Sequence, residues 1–422
     1  MRGSINATEL GARPGALDDQ SKTFQRMLDK AGTENIPLFL PPGTYVVSNL
    51  TLPRSIRLAG VPGATRIVYG GDGYLLAAEN AEHIALDGLV LDGANRWIGE
   101  QSNGLVDLRG VRQFTVDQCT VLGSGKHGLA LERVSGRIER SEITGAADAG
   151  VYSIEAGRLA ITGNSVTDCA NGGILVHRWQ IGEDNTVISG NRIERIAARN
   201  GGTGQNGNGI NAFRANGVMI SGNSVADCAF SAIRANSASN LQVNANTCLR
   251  SGETAIYAEF AFDGAVINSN IVDGGANGIS IVNFNNGGRM GVCNGNIVRN
   301  LSAKGPYPAD APGFGTGIAV EADCVVTGNV VENAPLFGIS IGWGPYMRNV
   351  VATGNLIRKA GTGIAVSVVE GTGLATVTDN IIDTATKGGV VGYRWAEAAT
   401  GDLALDASEA PANLTVSGNQ VS

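Results

Sequence analysis

The chain has 422 residues, 61 of them glycine, with a formal charge of -7 and an isoelectric point near 5.2. That balance argues against a general polyanion binder such as a nucleic-acid protein, and no apolar run is long enough to span a membrane. Abundant Gly, Asn, Val and Ile with few Glu and Lys point to short strands joined by tight turns, since Gly and Asn tolerate the positive φ that such turns require.

In chain order, the opening MRGS (residues 1–4) resembles an expression-vector leader. The expectation is therefore a removed native export signal and a periplasmic or secreted protein. Residues 5–60 read as a cap and first strands. Within LDDQSKTFQRMLDKAG, Phe24, Met27, Leu28 and Ala31 share one helical face, and Gly32 marks the expected helix end. A solenoid needs its open end covered, which this helix would do. IPLFLPPGTYVVSNLTL and SIRLAG follow as strands. Residues 61–422 read as successive coils with loop insertions, ending in GYRWAEAATGDLALDASEAPANLTVSGNQVS, the longest insertion.

The coils announce themselves by a repeated small or polar residue, Asn, then a residue followed by an aliphatic: GNSV, GNRI, SNIV, GNVV, GNLI. Asn164, Asn191, Asn223, Asn246, Asn270, Asn296, Asn329, Asn355, Asn380 and Asn419 recur 23 to 39 residues apart, and Gln118 and Ser141 extend the register backwards. A period near 25 residues, varied only by insertion, is a solenoid signature. Each unit also carries a strand opened by Gly and an aliphatic, such as GILV, GINA and GISI. Period-two alternation turns Ile174, Val176, Ile210, Ile279, Ile281, Ile339 and Ile341 inward. Two or three short strands per repeat make one coil of an all-β parallel β-helix, with equivalent residues stacked about 4.8 Å apart. The asparagines then form an internal ladder that satisfies backbone groups at a turn, and no chemistry is assigned to them. The six cysteines, Cys119, Cys169, Cys228, Cys248, Cys293 and Cys324, lack metal spacing and read as small buried hydrophobes with no disulfide expected.

The order GARPGALDDQSKTFQRMLDKA, LFLPPGTYVV, IRLAG resembles the opening segment of the pectate-lyase-like right-handed β-helix superfamily. The GNxI coils resemble the twin-arginine-exported β-helix repeat proteins of alphaproteobacteria. The resemblance implies a single-stranded right-handed parallel β-helix with an N-terminal capping helix. It also implies a range of roles: polysaccharide lyases, glycoside hydrolases, epimerases and phage tailspikes. No catalytic residue carries over. The polygalacturonase NTD, DD, GHG and RIK patterns do not stand in their catalytic context, since Asp18 and Asp19 lie in the capping segment, and the pectate lyase WxDH and RxPxxR patterns are absent.

The site must therefore come from stacking. The first outward column is expected to run Ala130, Tyr152, Leu175, Asn211, Arg234, Tyr257, Ser280, Ala319, Ser340, Ala365. The second runs Glu132, Ile154, His177, Phe213, Asn236, Glu259, Val282, Glu321, Gly342, Ser367, with Arg178, Trp179, Arg214, Phe260, Asn283 and Trp343 just beyond. The late coils, rich in Ala, Ser and Gly, read as a solvated surface without a task. The middle coils concentrate His177, Arg234, Tyr257 and Glu259 as candidate catalytic residues and Arg178, Trp179, Asn211, Arg214 and Asn236 as candidate substrate contacts.

Arginines bind carboxylates bidentately and ease removal of the α-proton of a uronate, while His or Tyr exchanges protons. The first reading is thus β-elimination on an acidic polysaccharide, with Arg234 or Arg178 neutralising the carboxylate and His177 or Tyr257 moving the proton. A glycoside hydrolase would instead pair Glu259 with Asp263, Asp184 or Glu321. A non-catalytic glycan binder or tailspike-like surface protein would use the same stripe without a proton-transfer pair. His83, His127 and Lys126 read as structural or weak candidates.

The loop NRWIGEQSNG with Trp97, and the loops AARNGGTGQNGNG, FNNGGRMG with Arg289, and AKGPYPADAPGFG, would wall the groove. No metal is expected. Calcium, used by some members of that superfamily, would find only the scattered donors Glu259, Asp263, Asp184 and Glu183. The expected partner is a polysaccharide, bound by a monomer or homotrimer.

Overall fold

The computed structural model describes residues 3–282 and 287–422; Asn283 and the first residues of FNNGGRMG lie outside them. The chain divides into two compact units, residues 1–202 and 203–422. No helix among the described residues is long and apolar enough to cross a membrane.

In the first unit each coil contributes three strands to parallel ladders. One ladder stacks Ser55–Ala59, His83–Asp87, Gln113–Asp117, Gly136–Glu139, Leu159–Thr162 and Val187–Ser189. A second stacks Leu76–Glu79, Gly104–Arg109, His127–Glu132, Ala149–Ile154 and Gly172–Glu183. A third runs from Val90–Asp92 to Arg192–Ile196. The capping helix spans Ser21–Glu34 and buries Phe24, Met27, Leu28 and Ala31, with Phe24 edge-on to Tyr45. It runs past Gly32, the expected stop, because Asn35 takes the left-handed conformation and its N–H caps the Ala31 and Gly32 carbonyls.

The second unit repeats the plan. Its outward ladder stacks Asn208–Asn216, Ile233–Asn236, Thr254–Glu259, Asn277–Val282, Thr316–Val320, Val330–Ile341, Leu356–Ser367 and Val390–Arg394. The C-terminal insertion folds back as the strand Glu397–Asp402, antiparallel to Val390–Arg394.

The repeated motifs have direct physical causes. The glycines that open the outward strands stack so closely that a Cβ on Gly278, Gly317 or Gly338 would lie 2.3, 2.4 or 2.6 Å from the next glycine's carbonyl oxygen. Behind them Ile279, Ile281, Ile339 and Ile341 are fully enclosed, as their alternation requires. The asparagine ladder is also present in each unit. Asn270 Oδ1, for example, accepts from the Asn246 backbone N–H and from Asn246 Nδ2, both at 3.0 Å. At the N-terminal end the rung before Ser141 is Cys119, whose N–H donates to Ser141 Oγ, and not Gln118 as expected; Gln118 sits one residue earlier in the turn with φ 51°. The six cysteines are buried and free.

Candidate functional site

In the second unit the expected first outward column is observed rung by rung: Asn211, Arg234, Tyr257, Ser280, Ala319, Ser340, Ala365. Phe213, Asn236, Glu259 and Val282 form the second. Strand pairing thus brings Arg234, Asn236, Tyr257 and Glu259 together. Arg234 Nε donates to Glu259 Oε1 at 2.6 Å, and Asn236 Nδ2 donates to the same oxygen at 3.0 Å. The guanidinium lies 5.4 Å from the Tyr257 ring centroid. Its Nη1 packs so tightly against Gly204, at φ 130°, that a Cβ there would overlap it. Burial works against the Arg234 charge, and Glu259 outweighs it, raising its pKa. Burial, then Glu259 and Glu253, pushes the Tyr257 phenol far up, so it stays protonated at neutral pH. Asn211 is buried beside Arg234, and Arg214 instead covers the Phe213 ring at 4.7 Å.

Two residues absent from the sequence reading complete this cluster. Glu253 is buried, and burial raises its carboxyl above the ordinary range while Tyr307 and Arg234 oppose the rise. Tyr307, 54 residues away, donates its hydroxyl to Glu253 Oε1 at 2.5 Å and packs its ring near Phe230 and Phe314. Nothing in their spacing reveals that pair, because a loop insertion carries Tyr307 back over the earlier coil. Asp263, a proposed partner for Glu259, is ion-paired with Arg289 at 2.6 Å.

The late coils, read from the sequence as a surface without a task, carry a cleft. Ser280, Ala319, Ser340 and Ala365 floor a cleft of about 380 Å³. Asp310–Gly313 form one wall, from the loop whose end is fixed by Asn277 Oδ1 accepting the Gly315 and Thr316 N–H groups at 3.1 Å. Trp343 and Trp395 form the other, edge to face at 5.5 Å, with Trp395 seated on Gly344. Ser367 Oγ donates to the Gly344 carbonyl at 2.7 Å and ties that corner to the floor. Phe337 and Tyr393 pack together at the cleft, which is also lined by Glu321, and among the described residues no Lys, Arg or His lines it. The only legible signal was a run of small outward residues beside two tryptophans and a long loop.

In the first unit Ala130, Tyr152 and Leu175 form the first outward column and Glu132, Ile154 and His177 the second. Tyr152 stacks on His127 at 4.6 Å and meets His177 edge-on at 5.5 Å. His127 Nδ1 accepts the Ala149 N–H at 3.1 Å, and its Nε2 lies 3.5 Å from Asp148. Burial lowers both imidazoles, His177 to about 4, so His177 is neutral at neutral pH.

Arg178 donates to Glu155 Oε2 at 2.5 Å, and Glu155 Oε1 accepts the Trp179 N–H at 2.7 Å. Asp184 is buried nearby, its carboxyl raised by burial. Arg178 therefore anchors the projecting end of its strand, where Trp179 is half exposed with Arg133 5.7 Å from its ring centroid. Trp97 is 67% exposed on its loop, which Lys126 Nζ holds by donating to the Gly99 and Ser102 carbonyls at 3.0 and 2.7 Å. Arg178 and Arg234, expected to neutralise a substrate carboxylate, are thus already neutralised by Glu155 and Glu259. Among the described residues no three His, Cys, Asp or Glu side chains converge to hold a metal.

The family model described as the right handed beta helix region matches residues 104–202, 131–301 and 180–346, which together exceed half of the chain. The chain belongs to this right-handed β-helix family. Among solved structures, this β-helix is similar to the N-terminal fragment of gene product 12 of bacteriophage Phi29, at 16% identity and a TM-score of 0.56, covering 92% of this chain and 68% of that one. It is also similar to PfbA, a surface adhesin of Streptococcus pneumoniae, at 12% identity and a TM-score of 0.53, covering 92% of this chain and 94% of that one. Likeness at such identities bears on the fold alone. No curated protein sequence matches this β-helix.

Proposed function

We propose that this protein is an exported carbohydrate-active β-helix that takes a neutral polysaccharide into the late-coil cleft of its second unit and hydrolyses it. The observation that carries the reading is the make-up of the cleft: a floor of small residues, the tryptophans 343 and 395, the acids Asp310 and Glu321, and, among the described residues, no cationic side chain. Aromatic faces suit the apolar faces of sugar rings, and carboxyl groups are what glycoside hydrolysis requires. Three coil steps from Ser280 to Ala365 span about 14 Å, room for a few sugars. Elimination on a uronate has less support, because Arg234 and Arg178 are ion-paired within the protein and an acidic chain in the cleft would meet Asp310 and Glu321.

A second reading, a non-catalytic glycan-binding surface protein, is favoured by the Arg234–Glu259–Asn236 network, which occupies the middle of the stripe with groups bonded to one another. The test is incubation with neutral and uronate polysaccharides, following product size and the ultraviolet absorbance of unsaturated ends. Shortened saturated product, lost in Glu321→Gln, is the expected result. Unsaturated product would restore elimination, and binding without cleavage would establish the second reading.

A further inference from the structure

We infer that the first unit carries a separate sugar-binding subsite, in a cleft of about 380 Å³ between Tyr74 and the loop that holds Gln101 and Ser102. Strand pairing sets Ala77 beside Asp107 and Glu79 beside Arg109, so the outward columns supply a small floor flanked by charged groups. Asp107 is almost fully buried. Its Oδ2 accepts the Asn103 N–H at 2.8 Å and Arg109 Nη2 at 2.9 Å. Arg109 Nη2 also donates to the Gln101 carbonyl at 3.1 Å. The guanidinium plane is thereby fixed, and the same bonds tie the wall loop to the floor. Lys126, holding the Gly99 and Ser102 carbonyls, fixes that loop a second time. The cleft is therefore built before any ligand arrives, which lowers the ordering cost of binding.

Its chemistry selects the occupant. Arg109 Nη1 stands 3.8 Å from Glu79 Oε1, too far for a strong hydrogen bond, and the Glu79 side chain is largely exposed. The two present a donor and an acceptor side by side at the cleft, the complement of adjacent sugar hydroxyls, each of which can donate and accept. The ring of Tyr74, whose hydroxyl lies 3.2 Å from Thr51 Oγ1, also lines the cleft and offers an apolar face, with Leu52 buried at its edge. An anion would meet Glu79 and Asp107, and a cation would meet Arg109. A neutral hydroxyl-rich ligand with one apolar face, a saccharide of one or two rings, fits both sides. The inference stands on the first unit alone and shares only its ligand class with the proposed function.

The test is calorimetric titration of the full chain with short neutral oligosaccharides of the gluco, manno and galacto series. Trp395→Ala removes a wall of the second unit's cleft, Ala77→Trp fills the first unit's cleft, and Tyr74→Ala removes its apolar wall. The expected result is binding that persists in Trp395→Ala and, with Trp395→Ala as the background, weakens about tenfold or more when Ala77→Trp or Tyr74→Ala is added, with circular dichroism unchanged. If Ala77→Trp fails to fold, Tyr74→Ala carries the comparison. Absence of binding in the Trp395→Ala protein, or binding unchanged in the folded cleft variants, overturns the subsite. Failure of the second-unit reading shows separately, as identical titrations of the unaltered and Trp395→Ala proteins.

Discussion

Replacing Asn270 by Ala tests whether the asparagine ladder holds the coils together. The side chain accepts the Asn246 backbone N–H and Asn246 Nδ2, each at 3.0 Å, and donates to the Val243 carbonyl and to Asn296 Oδ1, each at 3.0 Å. Asn246, Asn270 and Asn296 are about 1% exposed or less, so water does not replace the lost partners. Each such bond contributes about 1 kcal/mol net, and each buried group left unpaired costs about 1–3 kcal/mol. Since Asn246 Nδ2 and Asn296 Oδ1 retain other partners, the expected loss is about 4–6 kcal/mol.

The comparison is Asn419→Ala. Asn419 accepts from Asn380 N and Nδ2 at 3.1 and 2.9 Å and donates to Val377 O at 2.9 Å, but it is partly exposed, and about 1–2 kcal/mol is expected. Urea unfolding followed by circular dichroism measures both. Because a solenoid need not unfold in one step, exchange of the Asn246 amide supplies the local readout. A loss below about 1 kcal/mol for Asn270→Ala, with the Asn246 amide still protected, would refute the reasoning.

Arg234→Ala strips the nearly inaccessible Glu259 of its ion pair and is expected to cost about 3–5 kcal/mol at neutral pH, whereas Arg234→Met with Glu259→Leu recovers much of it; equal melting temperatures for the single variant and the unaltered protein would contradict the pairing. Burial holds the His177 pKa near 4 against an ordinary 6.5, so the stability of its neutral form is full above about 6.5 and drains away as pH falls towards 4. That loss reaches about 3 kcal/mol at most, and His177→Asn should show a shallower acid decline in melting temperature; parallel declines would count against a partly buried imidazole held neutral. In the second unit, adding Trp395→Ala to Ala77→Trp, which fills the first unit's cleft, is expected to weaken the remaining binding of a neutral oligosaccharide about tenfold, read by calorimetry, and an unchanged affinity would remove the tryptophan wall from the site.

Which residues face outward, and in what order, was legible because strand alternation and coil spacing are local properties: Asn236 stacks on Glu259, and Tyr257 on Ser280, at the positions the repeat assigns. What those outward residues do was not legible, because it depends on neighbours that insertions supply. A column rich in charge reads as a site, yet stacking at about 4.8 Å brings each charge against its counterpart on the adjacent coil, and Arg234 is used up by Glu259. A column of small residues reads as idle, yet small side chains are what leave a channel once Asp310 on one insertion and Trp395 on another rise beside it. The first unit follows the same logic, with Ala77 low between Tyr74 and Gln101. In a stacked fold, then, outward polarity between coils tends to cement the stack, and ligand space opens where an outward column shrinks next to a loop. That places the search for substrate on Ser280, Ala319, Ser340 and Ala77 before the arginines.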